Sequence, residues 1–92
     1  MINLDCKTAP DICKRIARNE RTLRKAKGLT QAELSKKSGV SLGSLKRFET
    51  TGQISLTSLS NLAIALQVED DFLSLFEKQH YNSIEEVIRE NK

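Results

Sequence analysis

Few side chains in this 92-residue sequence are of the types that do covalent or metal chemistry, and their spacing works against it. Cys6 and Cys13 lie seven apart, so they are not a Cys-x-x-Cys pair, and no second cysteine pair or histidine cluster exists to complete a zinc site. A reducing compartment also disfavours a disulfide between them. His80 is the single histidine, with no cysteine or serine set against it in a nucleophile arrangement. There is no glycine-rich phosphate loop and no spaced set of carboxylates. The expectation is a chain without catalytic residues, metal or cofactor.

What the sequence carries in quantity is charge, unevenly placed. The formal net charge is +3, but residues 1–52 hold 12 Lys/Arg against 5 Asp/Glu, whereas residues 53–92 hold 3 against 7. One end is basic and the other acidic. Seven basic residues fall in one run, namely Lys14, Arg15, Arg18, Arg21, Arg24, Lys25 and Lys27. Such a run suits a solvated helix face and a nucleic-acid footprint equally well, and charge alone does not separate the two.

The elements that must position these residues read as helices. With 38% hydrophobic and 29% charged residues, one proline and four glycines, the chain is expected to form one small all-α domain. Its longest aliphatic stretch, Leu62-Ala63-Ile64-Ala65-Leu66, is far short of the ~20 apolar residues of a membrane helix. Met1 to Asp5 lacks the basic and apolar regions of a signal peptide, so a cytoplasmic location is expected, with no membrane partner.

Thr8-Ala9-Pro10-Asp11 suits a helix start, because proline is tolerated in the first turn and an acidic group favours the positive end of the dipole. This first helix is expected to run to about Lys27, stopped by Gly28, with Ile12, Ile16 and Leu23 as its inner stripe. Thr30-Gln31-Ala32-Glu33 is a capping box that starts a second helix, ending near Ser38. Gly39 can then take the left-handed conformation that reverses the chain sharply. Ser41 caps a third helix, roughly 41–49, and Leu34, Val40, Leu45 and Phe48 are expected to lock the pair together, with the small Ser35 where they approach closely. This is the pattern of a helix-turn-helix.

Ser55 caps a fourth helix with Leu56, Leu59, Leu62, Ala63 and Leu66 at inward spacing. Asp70-Asp71 opens a fifth, with Phe72, Leu75 and Phe76 as its apolar face. A second capping box, Ser83-Ile84-Glu85-Glu86, begins a short extra helix with Ile84, Val87 and Ile88 inside; an isolated helix that short needs something to dock on.

The stretch "LRKAKGLTQAELSKKSGVSLGSLKRFETTG", followed by "SLTSLSNLAIALQV", resembles the phage-repressor family (Cro/repressor, or XRE-type) in the order of its elements over roughly residues 14–76. The resemblance implies an all-α, compact five-helix repressor-like DNA-binding domain over 1–77, with 78–92 as a carboxy-terminal segment for dimer or partner contact. It also implies a homodimer on a palindromic operator in double-stranded DNA, read in the major groove by the third helix.

Carried over position by position, the resemblance puts Thr30 and Gln31 beside a phosphate and puts Ser41, Leu42, Gly43, Ser44 and Arg47 on the reading face, with Lys46 at its edge. Lys27 and Thr51 complete the implied DNA-binding set. Arg24 and Glu49 match a basic–acidic pair tying the first helix to the end of the third. Relatives often carry polar side chains where this chain has Leu42 and Gly43, and "ETTGQIS" places Gly52 one residue later than the family's usual glycine. Gln31 and Ser41 also have plainer roles open to them, as a helix-start residue and a cap.

The run "RFETTGQISLTSLSNLAIAL", with "DDFLSLF" and "SIEEVI", further resembles a subgroup of antitoxins encoded beside HipA-type kinase toxins, which repress their own operons. That makes a HipA-like kinase a candidate partner. The alternative reading is a helical protein–protein interaction module without specific DNA binding.

Overall fold

The computed structural model describes residues 8–77, and these form five helices: α1 (Ala9–Ala26), α2 (Gln31–Ser38), α3 (Leu42–Thr51), α4 (Leu56–Ala65) and α5 (Glu69–Leu73). The segment expected to hold the extra helix, 78–92, lies outside the described residues, as do Cys6 and His80. None of the described helices is long and apolar enough to cross a membrane.

Helix boundaries follow the side chains that satisfy orphan backbone groups. Thr8 accepts from the Asp11 amide, Thr30 from Glu33, Ser41 from Ser44 and Ser55 from Ser58, so four of the five helices begin on a hydroxyl cap. The Thr30 box is reciprocal, because the Glu33 carboxylate also accepts from the Thr30 amide at 2.8 Å. At the far end of α1, Gly28 (φ +73°) donates to the Lys25 carbonyl and Leu29 to that of Arg24, a closure that satisfies the last carbonyls. The same closure ends α4 through Gln67 (φ +63°) and Val68, without a glycine.

The core is one aliphatic and aromatic cluster of Ala17, Leu34, Val40, Leu45, Phe48, Leu62 and Leu66, drawn from α1, α2, the turn, α3 and α4. α3 packs on α1 and α2, α2 also on α4, and α4 on α5. The sharp turn between α2 and α3 is held as expected: Gly39 sits at φ +79° and Val40 is buried. Three further bonds hold it closed. Ser35 Oγ donates to the Val40 carbonyl, Ser38 Oγ donates to the Ser35 carbonyl and the same Ser38 oxygen accepts from the Val40 amide.

Three expectations are corrected. The buried face of α1 is Ala17, Glu20 and Arg24, not the Ile12–Ile16–Leu23 stripe; Ile12 and Ile16 are 45% and 40% exposed and Leu23 is half-buried. Arg24, seven residues after Ala17, lies on the same side of the helix and must face α3 to reach Glu49, which leaves Ile16 and Leu23 on the wall of a groove shared with Leu59, Leu66, Val68 and Phe72, with Leu23 packed against the edge of the core. On α4, Leu62, Ala63 and Leu66 are buried and Leu59 half-buried, but Leu56 opens the helix at its solvent end and is 68% exposed. Finally, α5 stops at Leu73, so Leu75 and Phe76 lie past its end and are exposed, while Phe72 is half-buried.

α3 also ends two residues later than expected. It runs through Thr50 and Thr51 to Gly52, whose φ of +84° and amide bond to the Phe48 carbonyl close the helix. The late glycine marks this longer helix. A Cβ at Gly52 would stand 2.8 Å from the backbone carbon of Cys13 and 2.9 Å from the Lys14 nitrogen, so the end of α3 sits directly on the α1 backbone.

Candidate nucleic-acid interface

Each residue expected to face DNA comes from the start of α2, the exposed side of α3 or the ends that flank them. Gly43, Lys46, Arg47 and Thr50 recur at three- and four-residue spacing on α3, opposite the buried Leu45 and Phe48, and all four are exposed. Ser41 and Ser44 are exposed at the amino end of that face, and Leu42 is half-buried beside it. Thr51 is exposed; its hydroxyl donates to the Arg47 carbonyl at 2.7 Å and accepts from the Gln53 amide at 3.1 Å. Lys27 is the exposed cap residue at the end of α1.

The plainer roles prove real for several of these residues. Ser41 caps α3, and its hydroxyl also donates to Ser44 Oγ at 2.8 Å, so both serines are engaged within the protein. Thr30 serves the capping box through its oxygen. Arg47 does not extend freely from the surface; its guanidinium donates to the side-chain oxygen of Gln53. Gly43 has open space around it, with no atom within 4 Å of where a Cβ would stand, so the fold itself does not require glycine there.

Beneath the face lies a charged knot. Arg24 forks onto Glu49, with Nε to Oε2 at 2.8 Å and Nη2 to Oε1 at 2.9 Å, and its third nitrogen donates to the Leu29 carbonyl at 2.8 Å. Both side chains are almost fully buried. Gln31 Nε2 donates to the same Glu49 oxygen at 2.9 Å, which ties the start of α2 to the end of α3 through one carboxylate. Glu49 is thereby fixed as a hub for three helices. The Arg24–Glu49 pairing had been implied by resemblance, whereas the Gln31 arm is a partner that no spacing rule reveals.

Glu20, one turn before Arg24, is the residue sequence reasoning missed. Both of its carboxyl oxygens are buried, and no donor among the described residues reaches either one. Burial is the main cause that pushes its pKa up to about 8; the hydrogen bond to Glu49 and repulsion from that carboxylate add to it, and the Arg24 charge pulls the other way. Glu20 is therefore the protonated partner at neutral pH, beside the ionised Glu49. Burial also penalises the Glu49 charge, but hydrogen bonds from Arg24, Glu20 and Gln31, with the Arg24 charge, outweigh it and hold that carboxyl below its usual range. The only sequence signal for Glu20 was its position three residues after Ala17 and four before Arg24.

A helix-turn-helix family profile matches residues 21–73, which is more than half of the chain. The protein belongs to this helix-turn-helix family, whose fold is DNA-binding and not enzymatic. The matched span runs from the last third of α1 to the end of α5 and contains α2, α3, α4 and α5 whole. It makes the chain a DNA-binding regulator of the XRE type. No curated protein and no solved structure shows a significant match.

Proposed function

We propose that the protein is a cytoplasmic repressor that binds a palindromic operator as a homodimer, with α3 in the major groove and the start of α2 on the adjoining phosphates. The Gln31–Glu49 bond is the observation that carries this reading, because it fixes the α2 start and the exposed α3 face as one rigid unit. Reading falls to Ser41, Leu42, Gly43, Ser44, Lys46 and Arg47, and Lys27, Thr30, Gln31 and Thr51 take the flanking backbone. Leu42 offers apolar contact to a thymine methyl and Gly43 allows close approach. Arg47 leaves Gln53 to fork onto a base, an exchange of one exposed hydrogen bond for another.

A lone helix-turn-helix covers too few base pairs to be selective in a genome, so two copies on half-sites one helical turn apart, ~34–36 Å, are required. The acidic half of the chain, including residues 78–92, is the pairing surface, since phosphate repels its charge. Selection from random duplexes tests the proposal directly. A two-fold site with half-sites about 10 base pairs apart is expected. Enrichment of a single unrepeated site rejects the dimer, and no enrichment leaves the interaction-module reading in its place.

The narrower reading, an antitoxin paired with a HipA-like kinase, is supported by the resemblance of residues 47–66, 70–76 and 83–88 to that subgroup. Co-purification with a kinase encoded beside it, lost on removal of residues 78–92, is its expected signature. A gene with no such neighbour removes the support.

A further inference from the structure

α1 has two flanks besides its buried face, and they differ completely. One is the apolar wall of Ile16 and Leu23. The other presents Lys14, Arg18, Arg21 and Lys25, at spacings of four, three and four residues, all exposed. They form a basic stripe about 17 Å long on a helix of about 27 Å. Lys14, Arg18 and Arg21 converge on a space of about 200 Å³ between α1 and the carboxy end of α3, bounded there by Thr50 and Gly52.

Three features set this site apart from an ordinary solvated helix face. First, none of the three cations has an ion-pair partner among the described residues, although like charges crowd together there. Secondly, the carboxylate that also borders the space, Glu49, is already neutralised by Arg24 and bonded by Gln31, so it has little charge left for the stripe. Thirdly, Thr50 belongs both to the rim of the space and to the exposed α3 row of Gly43, Lys46 and Arg47, and its hydroxyl is bonded back to the Lys46 carbonyl at 2.9 Å. The row and the stripe therefore meet at Thr50. Gly52 makes this possible, because any Cβ there would force α3 off the α1 backbone and open the space.

We infer that Lys14, Arg18 and Arg21 form a second phosphate-binding strip that holds the DNA backbone alongside the groove occupied by α3. The inference rests on the DNA-binding reading and extends it from the α2 start to the middle of α1. A strip of this kind adds affinity without sequence information, because phosphates are alike at every base pair. Each phosphate neutralised adds about 0.9 to the slope of log affinity against log salt.

The test compares the full-length protein with the triple variant Lys14→Gln, Arg18→Gln, Arg21→Gln on selected and scrambled duplexes between 50 and 200 mM salt. All three positions are exposed on a helix, and melting curves check that the fold is retained. The salt slope is expected to fall by about 2 to 3 on both duplexes, so that the variant loses roughly 40-fold less affinity over that range than the unaltered protein. The preference for the selected site is expected to stay unchanged, in contrast to Arg47→Ala, which lowers it.

An unaltered protein with a steep slope and a triple variant with the same slope would overturn the strip and leave the DNA-binding reading intact. An unaltered protein that binds no duplex would overturn both. The double variant Lys36→Gln, Lys37→Gln, exposed in the last turn of α2, controls for net charge; an equal loss of slope per charge there rejects a local site. Inorganic phosphate that raises the melting temperature of the unaltered protein but not of the triple variant, with DNA slopes alike, would show a small-anion site and reject the strip.

Discussion

The two seams that hold α3 in place are built on opposite principles. Against α2 and α4 it buries Leu45 and Phe48 in an apolar cluster with Leu34, Val40, Leu62 and Leu66. Against α1 it meets Glu20 and Arg24 beside the one apolar residue Ala17, and its closing Gly52 presses on the α1 backbone. The first seam is held by area, at roughly 25 cal/mol per Å² of apolar surface, and it is indifferent to pH and tolerant of shape. The second depends on two charges, a shared proton and a contact of a few ångströms. It also ties the exposed face of α3 to the start of α2, through the Gln31 arm on Glu49.

The largest expected effect comes from removing the cation of the polar seam. Arg24→Met leaves the Glu49 carboxylate buried without its partner and should cost about 3–5 kcal/mol, on a par with the ~2–5 kcal/mol of Leu45→Ala in the apolar seam. Urea unfolding measures both. Adding Glu49→Leu to Arg24→Met should recover part of the loss; a double variant no more stable than the single one would mean that the pair holds the seam by attraction and not by mutual compensation.

A smaller effect separates close approach from backbone conformation. Gly39→Ala carries only the left-handed penalty of ~1–2 kcal/mol, because nothing lies within 4 Å of its missing Cβ. Gly52→Ala carries the same penalty plus a clash with Cys13 and Lys14, so it should be clearly the more destabilising. Equal losses would show that α3 can lift from α1 at no cost.

The pH response distinguishes the seams next. The folded-state pKa of Glu20 is raised from 4.5 to about 8, so its contribution is fully present below about pH 4.5 and is lost as pH rises towards 8. Glu49 runs the other way; its lowered value favours the fold at neutral pH and that share is lost on acidification. In Glu20→Gln the amide donates to Glu49 without a titrating proton. The variant should therefore gain on the unaltered protein steadily between pH 5 and 8, and parallel stability profiles would refute the shared proton.

Gly43→Ala is the mildest change and belongs to neither seam. The space is open and the backbone helical, so stability should rise by about 0.5–1 kcal/mol while affinity for the selected duplex falls, if the groove floor comes as close as proposed. Higher stability with unaltered binding would move Gly43 off the reading face.

How much of this was legible depended on how local the cause was. The caps at Thr8, Thr30, Ser41 and Ser55, the stop at Gly28 and the reversal at Gly39 were all readable, because each is a bond or a dihedral decided within a few residues. The closure at Gln67 was not, since glutamine gives no hint of a left-handed turn. The inner stripe of α1 was misread for a related reason. Hydrophobic spacing gives a helix its apolar side, but the side that faces the core here carries Ala17 together with the Arg24 that pairs with Glu49.

By itself, then, the sequence determined the five described elements and their order, the turn, the exposed face of α3 and the charge asymmetry, because hydroxyl caps, glycines and the three- and four-residue period act over short range. Only the tertiary structure decided that Glu20 is buried and protonated, that Gln31 answers to Glu49, and that Gly52 is a contact as well as a cap. Those depend on how α1 and α2 are set against α3, which is decided by the packing of residues 18 to 39 positions apart and which no local pattern encodes.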